Sequence, residues 1–144
     1  MRRLLPFILL LVGLGCSSQR YKVAPLSGKV MLDGKPLPKA WVHFAPIGSK
    51  DNPNPGPTSH GKTDGEGRYE LQIDPEHPGS VVGKARVYIR SATPAESEGG
   101  AQRDAGGPRP PKDKVPRKYN EETTLTYDVP PEGTDRANFD LFSR

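Results

Sequence analysis

Along the chain, apolar and polar residues alternate in short runs of four to seven, and no window carries a stripe at the 3.6-residue period of a helix. In Leu26–Leu32, Val30 and Leu32 share one side and Lys29 takes the other. In Ala40–Phe44, Val42 and Phe44 lie opposite Trp41 and His43. Gly67–Ile73 sends Tyr69 and Leu71 toward a core, and Lys84–Arg90 does the same with Ala85, Val87 and Ile89. Thr123–Val129 and Asn138–Leu141 complete the series. Each run repeats every second residue, as a strand buried on one face does. Turn residues bound them, including Asp33-Gly34 and Thr63-Asp64-Gly65-Glu66. The pattern predicts an all-β chain, a small antiparallel β-sandwich of about seven strands.

Two stretches lack the pattern. Pro46–His60 holds Pro46, Pro53, Pro55 and Pro57, and Ser91–Lys118 is similarly rich in Pro and Gly. Neither offers aliphatic periodicity to offset its ordering entropy. Both are expected as loops, and 91–118 as a long flexible one, either a tolerated insertion or a surface for a partner or polymer.

Composition narrows this further. Sixteen Gly and seventeen Pro in 144 residues argue against long helices, and a hydrophobic share of 33% argues against a large core. One small domain is the expectation.

The N-terminus carries a different signal. Arg2 and Arg3 precede the apolar run Leu4–Val12, which is too short to span a bilayer and is followed by Gly13, Leu14, Gly15 and Cys16. A positive start, an apolar middle and a small-residue end make an export signal. A buried N-terminal helix is the structural alternative. Leu14-Gly15-Cys16 resembles the bacterial lipobox, although Gly13 stands where that motif usually has Leu. The resemblance implies cleavage by signal peptidase II between Gly15 and Cys16 and lipidation of Cys16, the chain's one cysteine. An ordinary secreted chain with a stray thiol is the rival. The expected organisation is a signal peptide over 1–15, a lipid-anchored tether over 16–24 and a β-sandwich over 25–144. Loss of Arg2 and Arg3 with the leader lowers the formal charge from +4 to +2. The remaining charges are interspersed along the chain, so nucleic acid is not an expected partner.

Three phrases form an ordered series: Ser27-Gly28-Lys29-Val30 through Asp33-Gly34-Lys35-Pro36-Leu37-Pro38, then Ala40-x-Val42-x-Phe44-x-Pro46, then Gly61-Lys62-Thr63-Asp64-Gly65-Glu66-Gly67-Arg68-Tyr69-x-Leu71. Pro78-Gly79, Pro116-Arg117-Lys118-Tyr119-Asn120 and Asn138-Phe139-Asp140-Leu141 follow. The set resembles the carboxypeptidase regulatory-like domain, a transthyretin-like (prealbumin-like) sandwich, and in particular the small planctomycete lipoproteins that carry it. In that likeness the marked residues are scaffold: Asp33-Gly34 closes a turn, Pro36 and Pro38 keep the next segment out of the ladder, and Asp64 caps its own turn.

Candidate chemistry is sparse. Hydroxyisourate hydrolases share the transthyretin fold, but their C-terminal Tyr-Arg-Gly-Ser motif is absent from Asp140-Leu141-Phe142-Ser143-Arg144. His43, His60 and His77 are each 17 residues apart, and the spacing suggests surface or turn histidines. Asp64-Gly65-Glu66 is a weak calcium pattern that an Asx turn also explains. No catalytic residue, metal or cofactor is expected. Trp41 and Tyr88 fall on the polar sides of their strands, where as neighbours they could form a ligand platform, or Trp41 could cover the edge of a thin core. The expected function is therefore a membrane-anchored, non-enzymatic structural or binding module of the cell envelope, with envelope proteins or polysaccharide as partners. The alternative is a carrier or sensor that binds a small ligand or polysaccharide through these aromatics and the 91–118 loop.

Overall fold

A computed structural model describes residues 21–92 and 113–144. The described residues are all-β, and the one helix among them is a short 3-10 turn at Arg117–Tyr119. Twelve short strands follow in order: β1 Val23–Ala24, β2 Ser27–Leu32, β3 Lys35–Pro36, β4 Ala40–Pro46, β5 Ser59–Lys62, β6 Arg68–Glu70, β7 Gln72–Asp74, β8 His77–Pro78, β9 Ser80–Val81, β10 Gly83–Ser91, β11 Thr126–Val129 and β12 Phe139–Leu141. One antiparallel sheet runs β11-β10-β4-β5-β7-β8. A second joins β12, β2 and β3, with β6 also paired to β2, and β1 pairs with β9.

The alternation in the sequence sorts side chains as expected. Val42 and Phe44 of β4, and Ala85, Val87 and Ile89 of β10, are fully buried. Facing them are Val30, Tyr69, Phe139 and Leu141 of the second sheet. Phe44, Tyr127 and Phe139 meet edge to face, with ring centroids 5.7 to 6.0 Å apart, and so tie one sheet to the other. Tyr69 adds a directional bond, its hydroxyl donating to the Ala137 carbonyl at 2.6 Å.

Four features differ from the sequence expectation, each for a physical reason. The run Gly67–Ile73 is not one strand: it pairs with β2 through β6, breaks at buried Leu71, and continues into the other sheet as β7. The expected loop Pro46–His60 holds over 47–58, but its last two residues open strand β5. Its inward positions are Ser59 and Gly61, so no apolar alternation marks it. Ser59 Oγ bonds Ser80 Oγ at 2.7 Å inside the protein, and a Cβ on Gly61 would stand 2.2 Å from the Glu70 carbonyl oxygen. Pro36 itself stands in the ladder, opposite Met31 at the end of β3, while the segment after it, 37–39, lies outside any strand. Finally, β12 runs parallel to β2, a pairing across 109 residues that leaves no local trace in the sequence.

The Asp33-Gly34 turn is as expected, whereas both ends of the expected flexible loop 91–118 belong to the ordered fold. Asp33 and Gly34 both have positive φ (50° and 77°), the geometry of a tight hairpin turn. Of the expected loop 91–118, Ser91 closes β10, and Val115 is buried in the core beside the 3-10 turn. The Asp113 carboxylate accepts the backbone N–H of Ser91 at 3.0 Å and of Val115 at 2.9 Å, and so ties the point of departure to the point of return. Residues 93–112 lie outside the described residues.

Candidate functional site

The strands that bury Val42, Phe44, Val87 and Ile89 present their alternate residues on the opposite face of the six-stranded sheet. Register aligns these into rows. Arg90 stands opposite Trp41, which stands opposite Lys62. One step along, Tyr88, His43, His60 and Gln72 lie across four strands. Three rings close on one another in this area: Trp41 to His43 at 6.1 Å, Trp41 to His60 at 5.8 Å, and His43 to His60 at 6.2 Å between centroids. The Lys62 ammonium lies 5.8 Å from the Trp41 ring centroid, within cation–π range.

Trp41 and Tyr88 thus share the outer face, as their parity predicted, but they are diagonal rather than paired. The direct ring neighbours of Trp41 are the two histidines. Trp41 lies outside the core cluster and is half-buried, while its indole Nε1 is buried with no hydrogen-bond partner. The histidine pairing was hidden from sequence reasoning because it requires the register of β4 against β5. Had Ser59–Lys62 been read as the return strand of a hairpin, the two histidines would have fallen opposite each other.

Charge is also redistributed by folding. Lys84, Arg86 and Arg90 are interspersed along β10, yet alternation places all three on the face of Trp41, and Lys62 joins them from β5. Asp128 stands opposite Lys84 at the β11 end. At the β8 end, Asp74 bonds His77, with Oδ1 2.7 Å from Nδ1. That bond and the backbone N–H groups of Glu76 and His77 hold the Asp74 carboxyl below the usual carboxylate range. This Asp–His contact is part of a turn, in which the His77 backbone N–H also donates to Asp74 Oδ1 at 3.0 Å.

An open cleft of about 710 Å³ adjoins the face through Lys62. Lys29, Arg68, Asp64, Glu70 and Asp135 line it with both signs of charge. Asp64, considered above for calcium, spends Oδ1 on the backbone N–H groups of Arg68 (2.9 Å) and Glu66 (2.8 Å), and these lower its pKa. Glu66 pairs with Arg68 at 3.1 Å. Among the described residues, no group of three or more His, Cys, Asp or Glu is placed to hold a metal ion.

Gly15 and Cys16 lie outside the described residues. Among those described, no helix is long and apolar enough to cross a membrane. Comparison of the chain with protein-family models, curated proteins and solved structures finds no match to any of them.

Proposed function

We propose that the chain is an exported lipoprotein of a bacterial cell envelope, held to a membrane by lipid on Cys16, whose carboxypeptidase regulatory-like sandwich is a non-catalytic binding module. The sequence of Arg2-Arg3, apolar run and Gly15-Cys16 supports the anchor. Two or more acyl chains give stable attachment, at about 0.8 kcal/mol per buried CH₂. The observation that carries the binding role is the outer face of the six-stranded sheet, where Trp41, His43 and His60 cluster beside Lys62 and Arg90. Groups of this kind recognise ligands through hydrogen bonds, charge and ring contacts, and none belongs to the buried core cluster. The broad ligand class is a polysaccharide or small polar molecule of the envelope, reached by a domain that stays tethered.

Two experiments test this reading. Labelled palmitate should enter the wild-type protein and not Cys16→Ser, which should also leave the membrane fraction. Failure to label would defeat the anchor. Pull-down from detergent-solubilised envelopes with the intact protein should recover a polysaccharide or polar ligand that Trp41→Ala no longer retains. Equal retention by the variant would remove the face from the binding role.

A further inference from the structure

Resting on the reading of Cys16 as a lipidated anchor, we infer that the sandwich stands on its membrane in one sense, with the Tyr21 end against the phospholipid headgroups and the Trp41 end of β4 pointing away. The tether is shorter than the expected 16–24, because residues 21–24 already belong to the fold. The Lys22 carbonyl accepts the Val82 N–H at 2.8 Å, Val23 and Ala24 pair with Val81 and Ser80, and Ala24 is buried. The Tyr21 ring lies over Gly56, where an added Cβ would stand 3.0 Å from it. Between Cys16 and Tyr21 lie Ser17, Ser18, Gln19 and Arg20. Fully extended, that connection reaches about 18 Å.

That reach is smaller than the domain. Val82 leads into β10 at Gly83, so Tyr21 and Lys22 sit at the start of this strand, which runs nine residues to Ser91. At the usual rise per residue, Ser91 lies roughly 26 Å from Gly83. Standing on the Ser91 end would lift Tyr21 farther from the membrane than the tether allows. Strand β4 is antiparallel to β10, with Pro46 beside Ala85 and Trp41 beside Arg90. Trp41 and its histidine neighbours are thereby carried outward, the Trp41 backbone about 17 Å beyond Pro46. Reach alone still lets the domain lie on its side, and the side chains at the Tyr21 end select the upright sense. Ile47, one of the two exposed large apolar residues among those described, sits there, its backbone N–H donating to the Lys84 carbonyl at 2.8 Å. Lys84 and, across Val82, Lys22 are exposed, and Tyr21 is half-buried. An aliphatic side chain, a phenol and long cationic stems are groups that settle at a headgroup boundary. Asp128 stands opposite Lys84, so reach and amphipathic side chains, rather than net charge, orient the domain.

The test uses the full-length lipidated protein in vesicles of phosphatidylcholine and phosphatidylglycerol that carry a spin label on the headgroups. Acylation of Cys16 leaves an introduced cysteine as the one free thiol, to which a fluorophore is attached. A fluorophore at Ile47→Cys should be quenched roughly threefold more than one at Glu66→Cys, which lies in the exposed turn after β5, beyond the pairing of Lys62 with Trp41. If Ile47→Cys does not fold, Lys84→Cys reports on the same end with the same expected result. Inserting about 20 Gly and Ser residues after Ser18 adds roughly 25 Å of average reach and should bring the Ile47 signal down to that of Glu66. Equal quenching at both ends in a protein that floats with the vesicles, or stronger quenching at Glu66, overturns the orientation and leaves the anchor standing. An Ile47 signal untouched by the insertion overturns the tether as its cause. A protein that does not float with the vesicles, or a Cys16 that still takes up the fluorophore, defeats the anchor and the orientation together.

Discussion

The two faces of β4 and β10 are built from alternate residues of the same backbone and obey different rules. Inward, Val42, Phe44, Val87 and Ile89 have no exposed surface and interlock with the second sheet. Outward, Trp41, His43, Tyr88 and Arg90 are all half-buried, and the Trp41 and His43 rings lie against each other. Stability is concentrated on one side of a sheet a single residue thick. The other side is left free to vary its chemistry at little cost to the fold.

The sharpest way to break this contrast is at Phe44, which packs on both Tyr127 and Phe139. Phe44→Ala should cost about 3–5 kcal/mol, read as a fall in the urea midpoint. A loss under 1 kcal/mol would mean that the two sheets do not depend on this contact. Gly61 tests the inward side where it is tightest. Gly61→Ala should cost about 1–3 kcal/mol, because the new methyl meets the Glu70 carbonyl and the backbone must shift. Tyr69→Phe keeps the ring and removes one hydroxyl, leaving the Ala137 carbonyl unpaired at a cost of roughly 1–2 kcal/mol in thermal or urea unfolding.

The same Tyr69 variant has a pH signature. Burial, with a smaller contribution from Tyr127, pushes the Tyr69 phenol above the usual tyrosine range. The stability tied to its neutral form is therefore intact below about 10, the unfolded value, and falls as pH rises further. The Phe variant should show a flatter alkaline limb.

On the outward face, Arg86→Gln at an exposed position should move the unfolding midpoint by no more than about 0.5 kcal/mol. A large loss of stability there would erase the distinction between the faces. The smallest effect belongs to the turns. Backbone N–H groups of Arg68 and Glu66 hold the Asp64 carboxyl low, so its contribution is present above the unfolded value of about 3.9 and is lost as pH falls through the lower folded value. Asp64→Asn should lower stability slightly at neutral pH, where the charged form contributes, and shallow the acid limb of a pH–stability profile, so that the two proteins converge at low pH. An identical acid limb in the variant would show that the turn does not discriminate the charged form.

Legibility in the sequence follows the same division. Val30, Val42, Phe44, Tyr69, Val87 and Ile89 were readable because burial repeats every second residue. Strand β5 was not, since Ser59 and Gly61 hold its inward positions by a hydroxyl pair and a missing side chain. Val115, a lone valine in a stretch rich in Pro and Gly, gave no period to detect. Trp41 and Tyr88 could be placed on the outer face by parity alone. The adjacency of His43 and His60 could not, because it belongs to the pairing of two strands, one of them unmarked.

The parallel pairing of β12 with β2 has a consequence for how the protein is made. Phe139 stands beside Val30, so one of the earliest strands to emerge from the ribosome waits for one of the last. Until that partner arrives, Val30 and Leu32 have no complete sheet to close upon, and contacts of such long sequence separation form slowly. Strands β3 and β6 can pair with β2 early, but this edge of the sheet closes only after Phe139–Leu141 has been made.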